Sequence, residues 1–188
     1  MIKAVLSTFI FLLSFGWSAG LFSQQVEWMS WEEAVEKSRV EARKIFVDVY
    51  TDWCTYCKKM DRETFSNPYV ARYLNENYYP VKLNAQQPND IVFKNKIYRF
   101  VNRGGRNSYH ELAAMIMNGR LSYPTIVFID ESLELIQSIP GYRSAFEFEL
   151  FITYFGEDHH KRIPWSSFKR QQPKGPNSSR QQINVRGN

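Results

Sequence analysis

Hydrophobic positions fall into blocks whose spacing switches between helical and extended along the chain. Trp31, Ala34, Val35, Ser38 and Ala42 share one helical face behind a Ser30-to-Glu33 capping box, which predicts a first helix over 31–43. The run Ile45-Phe-Val-Asp-Val-Tyr50 is β-branched and aromatic, and suits a strand buried on both faces. After a turn at Thr51-Asp52-Trp53 a helix is expected to open at Cys54. It should falter at Ser66-Asn67-Pro68 and resume, capped by Asn67, through Asn75. Residues 79–84 give the next strand. Apolar residues recur at helical spacing over 90–101 and again over 108–118, with a Gly104-Gly105 break between them and a second capping box from Ser108 to Glu111. Residues 124–130 and 133–139 predict a hairpin around Asp130-Glu131-Ser132, and a third capping box, Ser144 to Glu147, opens a helix ending at Gly156. This order defines an α/β fold with a mixed central sheet flanked by helices.

Composition adds a size limit and a compartment. At 188 residues, 44% hydrophobic and 16% aromatic, the chain can bury one substantial core. Its net charge of +5 is unevenly placed: residues 24–160 carry 16 basic against 19 acidic residues, while seven basic residues and no acidic one follow His160. The domain, residues 24–160, is therefore mildly acidic. The segment 161–188 reads as a disordered basic tail, rich in Gln, Ser, Pro, Lys and Arg, and lacks the interleaved aromatics of a nucleic-acid arm. Residues 1–23 read as an export signal, with Lys3, an apolar run from Ala4 to Phe15 and a small-residue region at Ser18-Ala19-Gly20. An uncleaved membrane anchor is the competing reading, because the uncharged stretch approaches the roughly 20 residues that span a bilayer. Both place the domain outside the cytoplasm, and the expected location is the periplasm.

Chemistry concentrates at Cys54-Thr55-Tyr56-Cys57, which holds the chain's two cysteines. With no second pair, neither a disulfide framework nor a four-thiolate zinc site can form, and Lys58 stands where haem attachment needs His. A helix start stabilises a thiolate through its unpaired N–H groups, so Cys54 is the expected nucleophile, exposed to solvent. Cys57, a turn deeper, is placed to resolve a mixed disulfide. A static local disulfide is the plainer alternative. Asp48 lies in the middle of an apolar strand, where a carboxylate is costly, and is a candidate proton acceptor for Cys57; a solvent-facing residue or a salt bridge with Lys82 would explain it otherwise. Pro124 taken alone is an ordinary strand start.

Together Phe46-Val-Asp48, Trp53-Cys-Thr-Tyr-Cys-Lys58, Val81-Lys-Leu-Asn84, Tyr123-Pro-Thr125 and Gly141 resemble the thioredoxin superfamily. Within it, Asp52 through Val70 looks most like exported thioredoxin-like proteins and the reductase domain of periplasmic thiol–disulfide interchange proteins. The resemblance implies a thioredoxin-like fold, with Cys54 and Cys57 catalytic, Asp48 the buried acid and Lys82 its neighbour. It also implies a cis Pro124 facing the disulfide, with Trp53, Tyr123 and Pro124 lining the substrate groove. The implied activity is reduction of protein disulfides by a monomer that needs no cofactor or metal and is recharged by a membrane electron donor. A non-catalytic binding module and a disulfide oxidase or isomerase are the competing functions. Two departures stand out: Thr-Tyr separates the cysteines, and a helical insertion over 85–122, carrying Arg103, Arg106, Tyr109 and His110, precedes the Pro124 strand.

Overall fold

The computed structural model describes residues 25–172, so the export segment expected at 1–23 and the end of the tail lie outside the described residues. Its centre is a four-stranded mixed sheet in the order β2-β1-β7-β8, made of β1 (Lys44–Tyr50), β2 (Tyr78–Asn84), β7 (Thr125–Ile129) and β8 (Leu135–Pro140). β1 runs parallel to β2 and antiparallel to β7, and β7 and β8 form the expected hairpin.

Alternation along β1 sorts the core into two layers, because successive strand side chains point to opposite faces. Ile45, Val47 and Val49 join Trp31, Ala34 and Val35 of α1 (Trp31–Val40) on one face. Phe46 joins Phe128, Phe148 and Leu74 on the other, against α3 (Pro68–Asn77) and α5 (Ala145–Gly156). Each fully buried Phe contributes about 1.5–3 kcal/mol relative to exposure. Asp48, two residues after Phe46, must share Phe46's face and so enters this aromatic layer as a carboxylate.

Local signals place the helices. Ser30 Oγ accepts from Glu33 N–H at the start of α1, and the Ser144–Glu147 box closes reciprocally at the start of α5. α2 (Thr55–Met60) passes into a π-type turn over Asp61–Phe65. The chain then breaks at Ser66, and Asn67 Oδ1 accepts from Tyr69 and Val70 N–H to start α3 with Pro68 in its first turn.

The insertion is not helical as expected. Residues 90–101 form a hairpin, β3 (Ile91–Phe93) and β4 (Lys96–Tyr98), followed by the short pair β5 (Phe100–Val101) and β6 (Tyr109–His110). Lys94 and Asn95 both have positive φ, the conformation a two-residue hairpin turn requires. Ile91, Phe93 and Tyr98 point inward, and Phe93 meets the Trp31 ring edge-on at 5.0 Å, so packing on α1 selects the strand period. The second segment does contain a helix, α4 (Glu111–Ile116), but the expected Ser108–Glu111 box is absent. His110 Nδ1 caps α4 by accepting from Leu112 N–H, while Glu111 accepts from Arg99 N–H and Ser108 Oγ from Arg103 N–H.

The reading of residues from 161 onward as disordered also fails for the part described. α6 (Trp165–Gln171) packs on α5: Phe168 is buried, Trp165 stacks on Phe151 at 4.3 Å, and Tyr154 Oη donates to Ile163 O. Two aromatics three residues apart suffice to dock one short helix onto an aromatic surface already present.

Candidate active site

Cys54 sits at the junction of the β1–α2 turn and α2. Its N–H donates to Thr51 O, fixing the turn, and its extended backbone makes it the N-cap of α2. Cys57 N–H, one of the first-turn donors without a helical partner, points at Cys54 Sγ at 3.0 Å. That donor and the positive end of the helix favour negative charge on the Cys54 sulfur over the Cys57 sulfur. The two sulfurs form a disulfide with their Cα atoms 5.3 Å apart. Contrary to the expected exposure, Cys54 is only 4% exposed and Cys57 2% in this oxidised state; the neighbours Trp53 and Tyr56, 37% and 62% exposed, present the surface instead.

Towards the same end of the sheet, β1 contributes Asp48. Register pairs Asp48 with Lys82 across the parallel β1–β2 ladder, and Lys82 Nζ lies 2.9 Å from Oδ2. That ion pair engages Oδ2, while Oδ1 of this buried carboxylate has no hydrogen-bond partner among the described residues. Burial is the dominant influence and pushes the Asp48 carboxyl up to about 6, against the opposing pull of Lys82. Lys82 also pairs with Asp61 at the π-type turn and lies over the rings of Trp28, Tyr50 and Phe65 at 4.9–5.4 Å. Burial opposes its charge, yet Asp48 and Asp61 together hold its pKa above the ordinary lysine value. The salt bridge and the buried acid, alternatives in the sequence, coexist.

Across the groove, the Tyr123-Pro124 peptide is cis. Pro124 O accepts from Gly141 N–H at 2.7 Å, and Gly141 needs its glycine because its φ is +93°. The Tyr123 ring meets Trp53 edge-on at 5.7 Å. The residues expected at the site, Asp48, Trp53, Cys54, Cys57, Lys82, Tyr123 and Pro124, thus converge on one end of the sheet.

Sequence reasoning missed two contributors. Asp61 reads as an ordinary exposed helix residue, and only the π-type turn brings it to Lys82. Gln86 lies in a loop with no pattern to mark it, yet it accepts from Trp53 Nε1 at 2.9 Å and donates to the carbonyls of Gly105 and Ser108. No group of three or more His, Cys, Asp or Glu side chains able to hold a metal occurs among the described residues, nor is any described helix long and apolar enough to cross a membrane.

A Cys-x-x-Cys disulfide at a helix start, on a mixed sheet with a cis proline before β7, fits a thiol–disulfide oxidoreductase. The chain belongs to the thioredoxin-like domain family, whose model matches residues 31–156. Among curated proteins it is 34% identical over 74 residues to human spermatogenesis-associated protein 20, covering 39% of this chain and 9% of that protein. It is 29% identical over 110 residues to the thiol:disulfide interchange protein DsbD of Actinobacillus pleuropneumoniae, covering 57% of this chain and 15% of the other. The chain therefore spans a small part of these relatives. Among solved structures it superposes on the DsbH oxidoreductase with a TM-score of 0.52 at 14% identity, covering 84% of this chain and 95% of that one, a likeness of fold.

Proposed function

We propose that this protein is an exported thiol–disulfide oxidoreductase that reduces disulfides in other proteins. The observation that carries the proposal is the donor from Cys57 N–H to Cys54 Sγ at the start of α2, which singles out one sulfur of the pair as the better thiolate. In the reduced protein Cys54 thiolate attacks one sulfur of a partner disulfide. A Cys54–partner bond forms, the partner's own S–S bond breaks, and its other sulfur leaves as a thiolate that takes up a proton. Cys57 gives its proton to the Asp48 carboxylate and attacks Cys54 Sγ, forming the Cys54–Cys57 disulfide and releasing the partner's second thiol. Two electrons pass from this dithiol to the partner, and a dithiol donor, proposed to be a membrane protein, restores them. The protein acts as a monomer and needs neither metal nor organic cofactor.

Asp48 fits the acceptor role because it is buried, keeps one oxygen without a hydrogen-bond partner and is shifted toward neutrality despite its ion pair with Lys82. The backbone of Tyr123 before the cis proline is free to pair with a partner strand. Reduction is favoured over oxidation because no histidine or other cation separates the cysteines to stabilise the thiolate further.

The test is the equilibrium potential of the pair with its rate of reducing a model protein disulfide. A potential near the thioredoxin value of about −270 mV and a catalysed rate are expected; one near about −120 mV would make it an oxidant. No catalysis with the thiols reduced would leave a binding module.

A further inference from the structure

The inserted segment reaches the active site through a single amide. Gln86 accepts from Trp53 Nε1 at 2.9 Å and, through Nε2, donates to Gly105 O at 3.0 Å and Ser108 O at 2.7 Å. The residue next to Cys54 is thereby pinned to the loop between β5 and β6. That loop is itself built to hold one shape. Gly104 and Gly105 adopt positive φ, and Asn102 Oδ1 accepts from Gly104 N–H and from Ser108 Oγ. The 3-10 turn over Gly105–Asn107 then sets the Arg106 guanidinium 5.1 Å above the Trp53 ring.

The charge delivered there is uncompensated. Arg106 is exposed, and no carboxylate of the described residues lies within ion-pairing distance of it. Asp52, beside Trp53 in the chain, is instead engaged by Asn84 Nδ2 at 3.2 Å. Arg103 on the same loop lies over the Tyr109 ring and is equally without an acidic partner. Lys59, two residues after Cys57, is by contrast engaged by Glu63 and lies over the Tyr142 ring. Two exposed cations without an acidic partner among the described residues therefore stand near the cysteines, Lys58 beside Cys57 in the chain and Arg106 over Trp53, and of the two only Arg106 is placed by the insertion.

We propose that Arg106 is a specificity-determining residue that selects partner proteins carrying an acidic side chain next to the cysteine attacked by Cys54. The inference rests on the oxidoreductase reading. A planar guanidinium held by stacking has little rotamer freedom left to lose, and it pairs with a carboxylate through two parallel N–H donors. Rim charges of this kind discriminate among partners more than they add affinity.

The test compares two disulfide-bonded peptides differing only in whether Glu or Lys flanks the cysteines, and reads the ratio of their kcat/KM values. Within one variant that ratio is insensitive to the fraction of active protein, so partial misfolding cannot mimic the effect. The wild type should favour the acidic peptide, and the preference should weaken in high salt. Arg106→Glu should lower the ratio about tenfold, and Arg106→Lys, which keeps the charge but loses the stacked two-pronged guanidinium, should retain only part of the preference. A ratio near one in the wild type, or one unmoved in Arg106→Glu, would overturn the inference. Wild-type turnover of a small uncharged disulfide separates the two failures: turnover without charge preference removes the specificity role alone, and no turnover removes the oxidoreductase reading and the inference with it.

Discussion

Lys82 stands opposite Asp48 in the parallel β1–β2 pair, its ammonium 2.9 Å from the buried carboxylate as an ion pair. The ammonium is shared with Asp61 and surrounded by three rings, so it tempers the burial of Asp48 without cancelling it. A carboxylate kept this costly at neutral pH has consequences for stability as well as for proton transfer.

Asp48 titrates near 6 in the fold against an ordinary value of 3.8. A raised carboxyl contributes stability that is complete below the unfolded value and lost as pH rises through the folded one. Asp48→Asn should therefore be more stable than the parent at pH 7.5, by on the order of 2–3 kcal/mol, with the difference gone below about pH 4. Urea unfolding of the disulfide form at both pH values measures this. A parent more stable than the variant at pH 7.5 would contradict a carboxylate whose burial outweighs its ion pair with Lys82.

The same titration shapes the exchange rate. Resolution by Cys57 needs ionised Asp48, so single-turnover release of the second partner thiol should slow as pH falls through about 6. In Asp48→Asn that limb should vanish together with most of the rate at neutral pH. Rapid-quench kinetics from pH 5 to 8 would show it.

Gln86 joins Trp53 to the insertion by three hydrogen bonds. Gln86→Ala removes hydrogen bonds that are exposed or half-buried, where water can replace the partner, and should cost about 0.5–1.5 kcal/mol locally. Hydrogen exchange of residues 103–108 should speed up by roughly two- to tenfold, while the exchange of β1 and β7 amides stays as in the parent. Uniform acceleration across the sheet would show that Gln86 supports the whole fold instead.

Phe168 anchors α6 on the α5 face, away from the cysteines. Phe168→Ala should destabilise by about 3 kcal/mol with the potential of the Cys54–Cys57 pair unchanged. Denaturation and redox titration of the variant separate the two effects.

These elements also mark how far the sequence carries. The strands over 44–50, 78–84 and 125–140 were legible because their apolar runs are β-branched and aromatic, the first ending at the Thr51-Asp52 turn and the others bounded by Asn, Pro or Gly. The cysteine pair and the aspartate within an apolar strand stood out by themselves, whereas Pro124 is an ordinary strand start and was marked only by the family resemblance. The 91–98 hairpin was not, because five apolar residues in eight satisfy a helical count as well as a strand count, and packing of Phe93 on Trp31 decides between them. α6 was hidden because a single buried Phe168 fixes a helix that its composition would leave unstructured. Asp61 and Gln86 join the site through turns, and turn geometry leaves no periodic trace.

The preference for one sulfur is tested most directly by alkylating the fully reduced protein across pH and locating the label by mass. Cys54 should react first, with an apparent pKa below the roughly 8.5 of free cysteine, and Cys57 should lag behind it. Equal labelling of both thiols, or a Cys54 pKa at or above the free value, would contradict it.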